Sequence, residues 1–243
     1  MTTTQATFIT VGEKAVFCCL SVPETPSPNI VIMSHGFRGT NVGPARTFVN
    51  FERQLTRQGY TVLRFDQPNS GNSEGEFVDS SFREWVETTA YFARHYLDSG
   101  HRVVLLGQSM GATASVLASA RPGLRGRIAC LLLWVPDPKA TFGGNADEVY
   151  VEGGQCYRGR FWQEAEAEDF FAALEAFAGP IHLVYGEQDR YVSPELRRQV
   201  IEVVQRKGQQ ALVLPEQDHS PWDPALCEEV YRSEISLLAR ALP

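Results

Sequence analysis

The chain has 243 residues, 43% of them hydrophobic and 21% charged, and a formal net charge of −7. This length fits one large domain or two small ones, and because no linker-like or highly charged segment divides the chain, we predict a single domain over residues 1–243. The acidic balance and the lack of a basic stripe argue against a nucleic-acid partner, since binding to phosphates needs clustered Lys and Arg.

The sequence also limits the compartment and the cofactors that we expect. Residues 1–6 lack a charged stretch followed by an apolar one, and no apolar run is as long as a membrane span, so we expect a cytoplasmic protein. Five cysteines without C-x-x-C spacing predict neither a disulfide framework nor a zinc site. The five histidines form no H-E-x-x-H motif, so we expect no metal ion and no other cofactor. The oligomeric state stays open.

Hydrophobic periodicity predicts an opening hairpin and then an alternation of strands and helices. In chain order we predict strands at residues 6–10, 15–22 and 30–33, a helix at 48–58, a strand at 60–65, a helix at 81–97, a strand at 103–106, a helix at 112–120, a strand at 128–135, a helix at 161–178, a strand at 181–185, a helix at 194–205, a strand at 211–214 and a helix at 224–241. Apolar strands separated by helices are typical of a mostly parallel sheet with helices on both faces.

The pentapeptide Gly107-Gln108-Ser109-Met110-Gly111 lies between a buried strand and a segment of small helix formers. A glycine-flanked serine in this setting is typical of a nucleophile elbow, a tight turn that lifts the serine hydroxyl above the sheet edge. Larger side chains two positions either side of the serine would collide with neighbouring backbone, which explains both glycines. The alternative is an ordinary glycine-rich turn.

Two backbone amides near this serine are candidates to bind a developing oxyanion. In an enzyme with such an elbow, one donor is the amide after the serine, here Met110, and the other comes from the loop after the strand at 30–33. That loop begins His35-Gly36-Phe37, and Gly36 lets the Phe37 N–H approach a substrate oxygen. The alternative is a simple strand-terminating turn.

The alternation of strands and helices breaks at residues 137–178, after the sixth predicted strand. Residues 137–160 contain five glycines and scattered aromatic residues without a clear period. A long insertion at the carboxyl edge of a sheet is typical of a lid or substrate wall, so we predict a short lid here, with a variable surface loop as the alternative. Aromatic surface in a lid suits an apolar or aromatic substrate group. The candidate substrate-binding residues are Gly36, Asp137, Tyr150, Tyr157 and Trp162.

Ser109, Asp189 and His219 each follow a predicted strand, at the edge where parallel sheets bind their ligands. A neutral imidazole can take the proton of a serine hydroxyl, and a buried carboxylate fixes the imidazole tautomer and stabilises its charged form. We predict that Asp189 orients His219, because it lies at a strand end. Glu187 and Asp218 are the alternatives, but Asp218 adjoins the histidine, and sequence neighbours rarely face each other.

With these motifs the chain resembles the α/β-hydrolase serine esterases over nearly its whole length, in the chain order nucleophile, acid, histidine. The motifs are His35-Gly36-Phe37, Gly107-Gln108-Ser109-Met110-Gly111, Gly186-Glu187-Gln188-Asp189 and Asp218-His219. The first of them, with Arg64-Phe65-Asp66 and the loop ending at Gly75, is similar to the cinnamoyl/feruloyl esterase and monoacylglycerol-lipase-like branch. Relatives usually carry Gly and His where this chain has Asn69 and Ser70. Asn tolerates a positive φ, so we expect the turn to be retained.

The resemblance implies an α/β-hydrolase fold and a hydrolase that cleaves carboxylic esters through an acyl-enzyme on Ser109. We expect a small-molecule partner, a short-acyl or hydroxycinnamoyl ester, because the predicted lid is short. Thioester or monoacylglycerol hydrolysis is the alternative. A non-catalytic binding protein of the same fold is a weaker one, since it would have lost a residue of the serine, acid and histidine set.

Overall fold

The computed structural model describes residues 2–242 of the chain. The strands in this part are Thr3–Val11 (β1), Lys14–Val22 (β2), Asn29–Ser34 (β3), Thr61–Phe65 (β4), Arg102–Gln108 (β5), Cys130–Trp134 (β6), Val149–Glu152 (β7), Gln155–Arg158 (β8), Ile181–Gly186 (β9) and Gln210–Leu214 (β10). The α-helices are Thr47–Arg57 (α1), Phe82–Asp98 (α2), Met110–Ser119 (α3), Arg160–Glu166 (α4), Phe170–Ala176 (α5), Pro194–Arg206 (α6) and Pro224–Ala241 (α7). Within residues 2–242, none of these helices is long and apolar enough to cross a membrane.

Eight of the strands form one sheet in the order β1-β2-β4-β3-β5-β6-β9-β10. The pairs β1–β2 and β2–β4 are antiparallel, and every other neighbouring pair is parallel. Helix α1 packs with α7, while α2, α3 and α5 pack in succession on the opposite face. The predicted mostly parallel sheet with helices on both faces is therefore confirmed.

The central strands bring four loops to one edge of the sheet. All residues of β3, β6 and β9 are buried, in keeping with strands that are covered by helices on both faces. The register pairs Ser34 with Gly107, Gln108 with Trp134, and Trp134 with Val184. The loops that follow β3, β5, β6 and β9 consequently lie side by side at the carboxyl edge.

The insertion after β6 is more regular than the sequence analysis predicted. Strands β7 and β8 pair as an antiparallel hairpin around Gly153-Gly154, where both glycines have a positive φ, 56° and 82°. The expectation of an irregular segment is therefore wrong for residues 149–158. The predicted helix at 161–178 is also wrong as a single element, because Asp169 is the N-cap of α5 and its side chain accepts from the Ala172 N–H at 2.9 Å.

The turn-rich loop after β4 is organised by a buried carboxylate. Asp66 is fully buried and accepts from the backbone N–H of Asn41 (2.6 Å), the Asn41 side-chain amide (2.8 Å) and the backbone N–H of Asn72 (2.9 Å). Asn69 has a φ of 66°, which confirms the prediction that asparagine retains this turn.

A buried ion pair ties this region to the rest of the fold. Arg64 on β4 pairs with Glu52 on α1, and both side chains are only 7% exposed. The Arg64 guanidinium also donates to the Asn41 carbonyl (2.8 Å) and side-chain oxygen (2.7 Å), while Glu52 accepts from the Ser21 hydroxyl (2.7 Å). The pair thereby connects β2, α1, β4 and the loop after β3.

We expect Arg64→Met to lower the free energy of unfolding by about 3–5 kcal/mol, because it leaves the Glu52 carboxylate buried without its partner. Arg127→Met is the matched control, since Arg127 and Asp98 form an ion pair whose side chains are 47% and 69% exposed. Its effect should stay within about 0.5 kcal/mol. Urea denaturation measures both. An equal loss of unfolding free energy in the two variants would contradict a special role for the buried pair. The double variant Glu52→Met, Arg64→Met should recover part of the stability that Arg64→Met loses.

Candidate active site

Ser109 lies in a strained turn between β5 and α3. Its φ of 54° and ψ of −126° are unusual for a residue with a side chain. A Cβ atom on Gly107 would collide with the backbone of Gly111 and Ala112, and one on Gly111 would collide with the two carbonyl oxygens at the end of β3. The predicted tight turn is thus present, and both flanking glycines are required by close backbone contacts.

His219 lies between Ser109 and Asp189. Its Nε2 atom is 2.9 Å from Ser109 Oγ, and its Nδ1 atom is 2.8 Å from Asp189 Oδ2. Because a carboxylate only accepts hydrogen bonds, Nδ1 carries the proton and Nε2 faces the serine hydroxyl as an acceptor. This arrangement allows the imidazole to remove the serine proton.

Of the three acids considered from the sequence, the structure places Asp189 against the histidine. The Asp189 side chain is fully buried, and its Oδ1 accepts from the N–H groups of Tyr191 (2.9 Å) and Val192 (3.0 Å). The Asp218 carboxylate instead accepts from the backbone (3.0 Å) and guanidinium (2.6 Å) of Arg190, which lowers the pKa of Asp218. The Glu187 side chain accepts from the backbone N–H of residue 216.

The loop after β3 is braced against this turn by a buried histidine. His35 Nε2 accepts from the Gln67 N–H (2.9 Å), so Nδ1 carries the proton and donates to the Gly36 carbonyl (2.8 Å). Burial lowers the pKa of the His35 imidazole, which keeps it neutral. The Gly36 N–H donates to Gln108 Oε1 (3.2 Å), and a Cβ atom on Gly36 would lie 2.9 Å from the Ser109 Cβ. Sequence analysis missed this role of His35, because its partner Gln67 is 32 positions away.

The amides of Phe37 and Met110 are both available to a ligand. Within residues 2–242 neither N–H has a hydrogen-bond acceptor. Met110 directly follows Ser109 at the first position of α3, and Phe37 directly follows Gly36, which contacts Ser109. Both residues line the cavity above the serine. Two unpaired backbone donors that line the cavity near Ser109 are candidates to bind an oxyanion.

A cavity of about 840 Å³ opens above Ser109 and His219. This volume lies within the range of small-molecule sites, about 300–1,000 Å³. Among the residues predicted to bind substrate, Asp137, Tyr157 and Trp162 line the cavity.

The other two predicted substrate-binding residues, Gly36 and Tyr150, lie outside the lining. Gly36 is packed under the serine turn. Tyr150 stacks on Tyr157, with ring centroids 5.7 Å apart, and its hydroxyl donates to Glu148 at 2.9 Å. Hairpin pairing sets this position, since Tyr150 and Tyr157 lie opposite each other across β7 and β8.

The lining also includes residues that sequence analysis missed. Arg38 and Glu152 form an ion pair (2.8 Å) at the cavity wall, and the Tyr191 ring lies 5.0 Å from the His219 ring. The hairpin that carries Glu152 had a signal in Gly153-Gly154, since two glycines between alternating segments are typical of a tight hairpin turn. No group of three or more His, Cys, Asp or Glu side chains in residues 2–242 is placed to hold a metal ion.

Asp137 lines the cavity, and its carboxyl group has a raised pKa. Burial raises the pKa of Asp137, the nearby Asp189 carboxylate raises it further, and the Lys139 backbone N–H and the proximity of His219 act in the opposite direction. Its backbone is fixed by the Thr113 hydroxyl, which donates to the Asp137 carbonyl at 2.7 Å.

The sequence matches the alpha/beta hydrolase family over residues 31–232. The chain belongs to this family. That match covers most of β3, all the later strands, the serine turn and the loops that carry Asp189 and His219, so the resemblance predicted from the motifs is confirmed at the level of the family. No curated protein matches the sequence significantly.

Several solved structures share this alpha/beta hydrolase fold. Est1E from Butyrivibrio proteoclasticus, with ferulic acid bound, has a TM-score of 0.83 and 21% identity, covering 96% of this chain and 100% of its own. GrgF from Penicillium sp. sh18, an alpha/beta hydrolase, has a TM-score of 0.81 and 15% identity, covering 99% of both chains. A monoacylglycerol lipase of Paleococcus ferrophilus has a TM-score of 0.75 and 18% identity, covering 93% of this chain and 99% of its own. At these identities the comparisons establish the fold.

We expect Asp137→Asn to stabilise this hydrolase at pH 8 and to have little effect at pH 4. Because the folded-state pKa of Asp137 is raised, ionisation disfavours the fold, so the native protein loses stability as pH rises above about 4, the pKa of an unfolded Asp. The Asn variant escapes that loss. Urea denaturation at pH 4, 6 and 8 measures the difference, with the exposed Asp98→Asn as control. A difference between native and variant that is the same at all three pH values would contradict the raised pKa.

Proposed function

We propose that this protein is a serine hydrolase that cleaves carboxylic esters through an acyl-enzyme on Ser109. The observation that carries the proposal is His219, hydrogen-bonded on one side to Ser109 and on the other to Asp189. A histidine held between a serine hydroxyl and a buried carboxylate is the arrangement that makes serine nucleophilic. Membership of the alpha/beta hydrolase family supports the same reaction class.

In the proposed first half-reaction, Ser109 Oγ attacks the ester carbonyl carbon while its proton passes to His219 Nε2. The carbonyl oxygen becomes an oxyanion, which the N–H groups of Phe37 and Met110 bind. Asp189 stabilises the imidazolium. The C–O bond to the alcohol then breaks, and His219 gives the proton to the departing oxygen.

The second half-reaction repeats these steps with water as the nucleophile. His219 takes a proton from water, the resulting oxygen attacks the acyl carbon, and the Ser109–acyl bond breaks as the proton returns to Ser109 Oγ. The products are the alcohol, the carboxylic acid and the free enzyme. A thioester would follow the same steps with a thiol as leaving group.

The cavity supports a small ester with an aromatic or apolar group. Phe37, Phe142, Tyr157 and Trp162 supply aromatic rings to its lining, and we propose that the insertion at residues 137–178 acts as the substrate wall over Ser109. Asp137, in the same lining, offers a polar contact to a substrate hydroxyl. Gly36 and Tyr150 would act indirectly, by supporting Ser109 and Tyr157.

Replacement of Ser109 by Ala should reduce kcat by about 10³-fold or more with the fold intact, because the nucleophile is removed. A fluorophosphonate should add to the native protein and not to Ser109→Ala, as measured by intact-mass spectrometry. Labelling that persists in the variant would identify another nucleophile.

Two matched acid variants separate the proposed role of Asp189 from that of its neighbour. Asp189→Asn should lower kcat/KM severely, since the amide no longer holds the imidazole in the required tautomer. Asp218→Asn should be milder, because Asp218 bonds Arg190 instead of the imidazole. The reverse ranking would overturn the assignment of the acid.

A panel of esters tests the proposed substrate class. We expect kcat/KM to be highest for short p-nitrophenyl esters or for methyl ferulate, because a cavity of about 840 Å³ with aromatic walls suits small or planar groups. The panel runs from p-nitrophenyl acetate to palmitate beside methyl ferulate and an acyl-CoA. A maximum at palmitate would refute the small-ester proposal, and a preference for acyl-CoA would indicate a thioesterase.

A further inference from the structure

The loop at residues 35–41, here termed the oxyanion loop, is anchored at both ends by buried polar groups. At its start, His35 bonds the Gln67 N–H and the Gly36 carbonyl. At its end, Asn41 donates to Asp66 through both its backbone and its side chain, and it accepts from Arg64. These anchors fix where the loop begins and ends. The bond from His35 to the Gly36 carbonyl holds one side of the peptide between Gly36 and Phe37, whose N–H is the proposed oxyanion donor.

The side chains in the middle of the oxyanion loop pack on the insertion. The Phe37 ring contacts three aromatic rings of the insertion, Tyr157 (centroids 5.1 Å apart), Phe161 (4.7 Å) and Trp162 (4.8 Å). It also contacts Phe77 outside the insertion (5.1 Å). Aromatic packing of this kind restrains the position of the ring.

The next residue, Arg38, adds a charged contact to the hairpin. Its guanidinium lies on Gly153, where a Cβ atom would collide with it, and its Nη2 pairs with Glu152 Oε1 at 2.8 Å. The Arg38 Nε atom is buried and has no hydrogen-bond partner in residues 2–242, and the ion pair with Glu152 is formed through Nη2.

A tight turn of the backbone contains both Phe37 and Arg38. Arg38 has a φ of 60°, and the Gly39 N–H donates to the Gly36 carbonyl at 2.9 Å, which closes a tight turn over residues 36–39. Arg38, which contacts the hairpin, and Phe37 are therefore the two central residues of the same tight turn.

We propose that Arg38 and Glu152 are positioning residues, whose ion pair fixes the hairpin on the oxyanion loop and thereby aims the Phe37 N–H at the reacting oxygen. This inference rests on the proposed function, in which that N–H binds the oxyanion. The pair is partly exposed, with side chains 25% and 42% accessible, so its loss should barely change stability. A misplaced donor, by contrast, lowers kcat, since a single oxyanion-hole donor is worth about 10²–10³ in rate.

The kinetic test compares Glu152→Gln with Arg158→Gln. Arg158 lies on the same hairpin and forms a similar exposed ion pair with Asp79 (3.2 Å), but it does not touch the oxyanion loop. With the preferred ester of the native enzyme, Glu152→Gln should lower kcat about 10-fold with KM changed less than about twofold, because the donor acts mainly in the transition state. Arg158→Gln should leave kcat within about twofold of the native value. The charge-exchanged double variant Arg38→Glu, Glu152→Arg should recover part of the rate.

A second measurement does not depend on activity. Hydrogen–deuterium exchange of the peptide covering residues 36–43 is followed by mass spectrometry. Exchange should become several-fold faster in Glu152→Gln, because the loop opens locally more often, and it should stay unchanged in Arg158→Gln. If the native protein neither hydrolyses esters nor reacts with a fluorophosphonate, the proposed function fails, while exchange still decides whether the hairpin holds the loop. Unchanged exchange overturns the inference. Faster exchange with an unchanged kcat in an active enzyme overturns the positioning role.

Discussion

Backbone-to-backbone contact at the carboxyl edge of the sheet is the constraint on which the site depends. Gly111 contacts the carbonyl oxygens at the end of β3, and Gly186 contacts the carbonyl oxygens of the segment that leads into His219. Any side chain at these positions would separate the loops. Because the loops are this close, a hydroxyl, an imidazole and a carboxylate from three distant segments meet within hydrogen-bond distance. The proposed chemistry thus follows from glycines that take no part in it.

Buried polar groups then fix the orientation of what the glycines bring together. Asp189 uses one oxygen for two backbone N–H groups and the other for His219, so its carboxylate cannot rotate without losing hydrogen bonds. Hydrogen bonds fix the oxyanion loop in the same way. His35 in the loop accepts from the Gln67 N–H after β4, and Asp66 after β4 accepts from the Asn41 N–H in the loop. A set of preorganised dipoles of this kind needs little rearrangement when charge develops.

A structural feature could be predicted from the sequence where the residues that specify it are contiguous in the chain. The serine turn could be predicted because its glycines, the apolar strand before it and the small residues after it are contiguous, and Asp189 and His219 because each follows a recognisable strand. The β7–β8 hairpin was missed, since each strand has only four residues and their alternation mixes aromatic, apolar and charged side chains. Gly153-Gly154 was the available signal. The roles of His35, Arg38 and Glu152 could not be predicted, because each depends on a partner that only the tertiary fold brings near.

Phe37 has one consequence for any attempt to redesign the enzyme. Its N–H is the proposed oxyanion donor, while its ring packs against Phe77, Tyr157, Phe161 and Trp162. One residue therefore contributes both to the proposed chemistry and to the packing of the cavity wall. Substitutions that reshape the aromatic wall to admit a bulkier acyl group would disturb the packing of that ring. Substrate scope and turnover are then not independent traits in this scaffold. A laboratory selection for a new substrate should accumulate compensating changes around Phe77, the ring contact that lies outside the insertion.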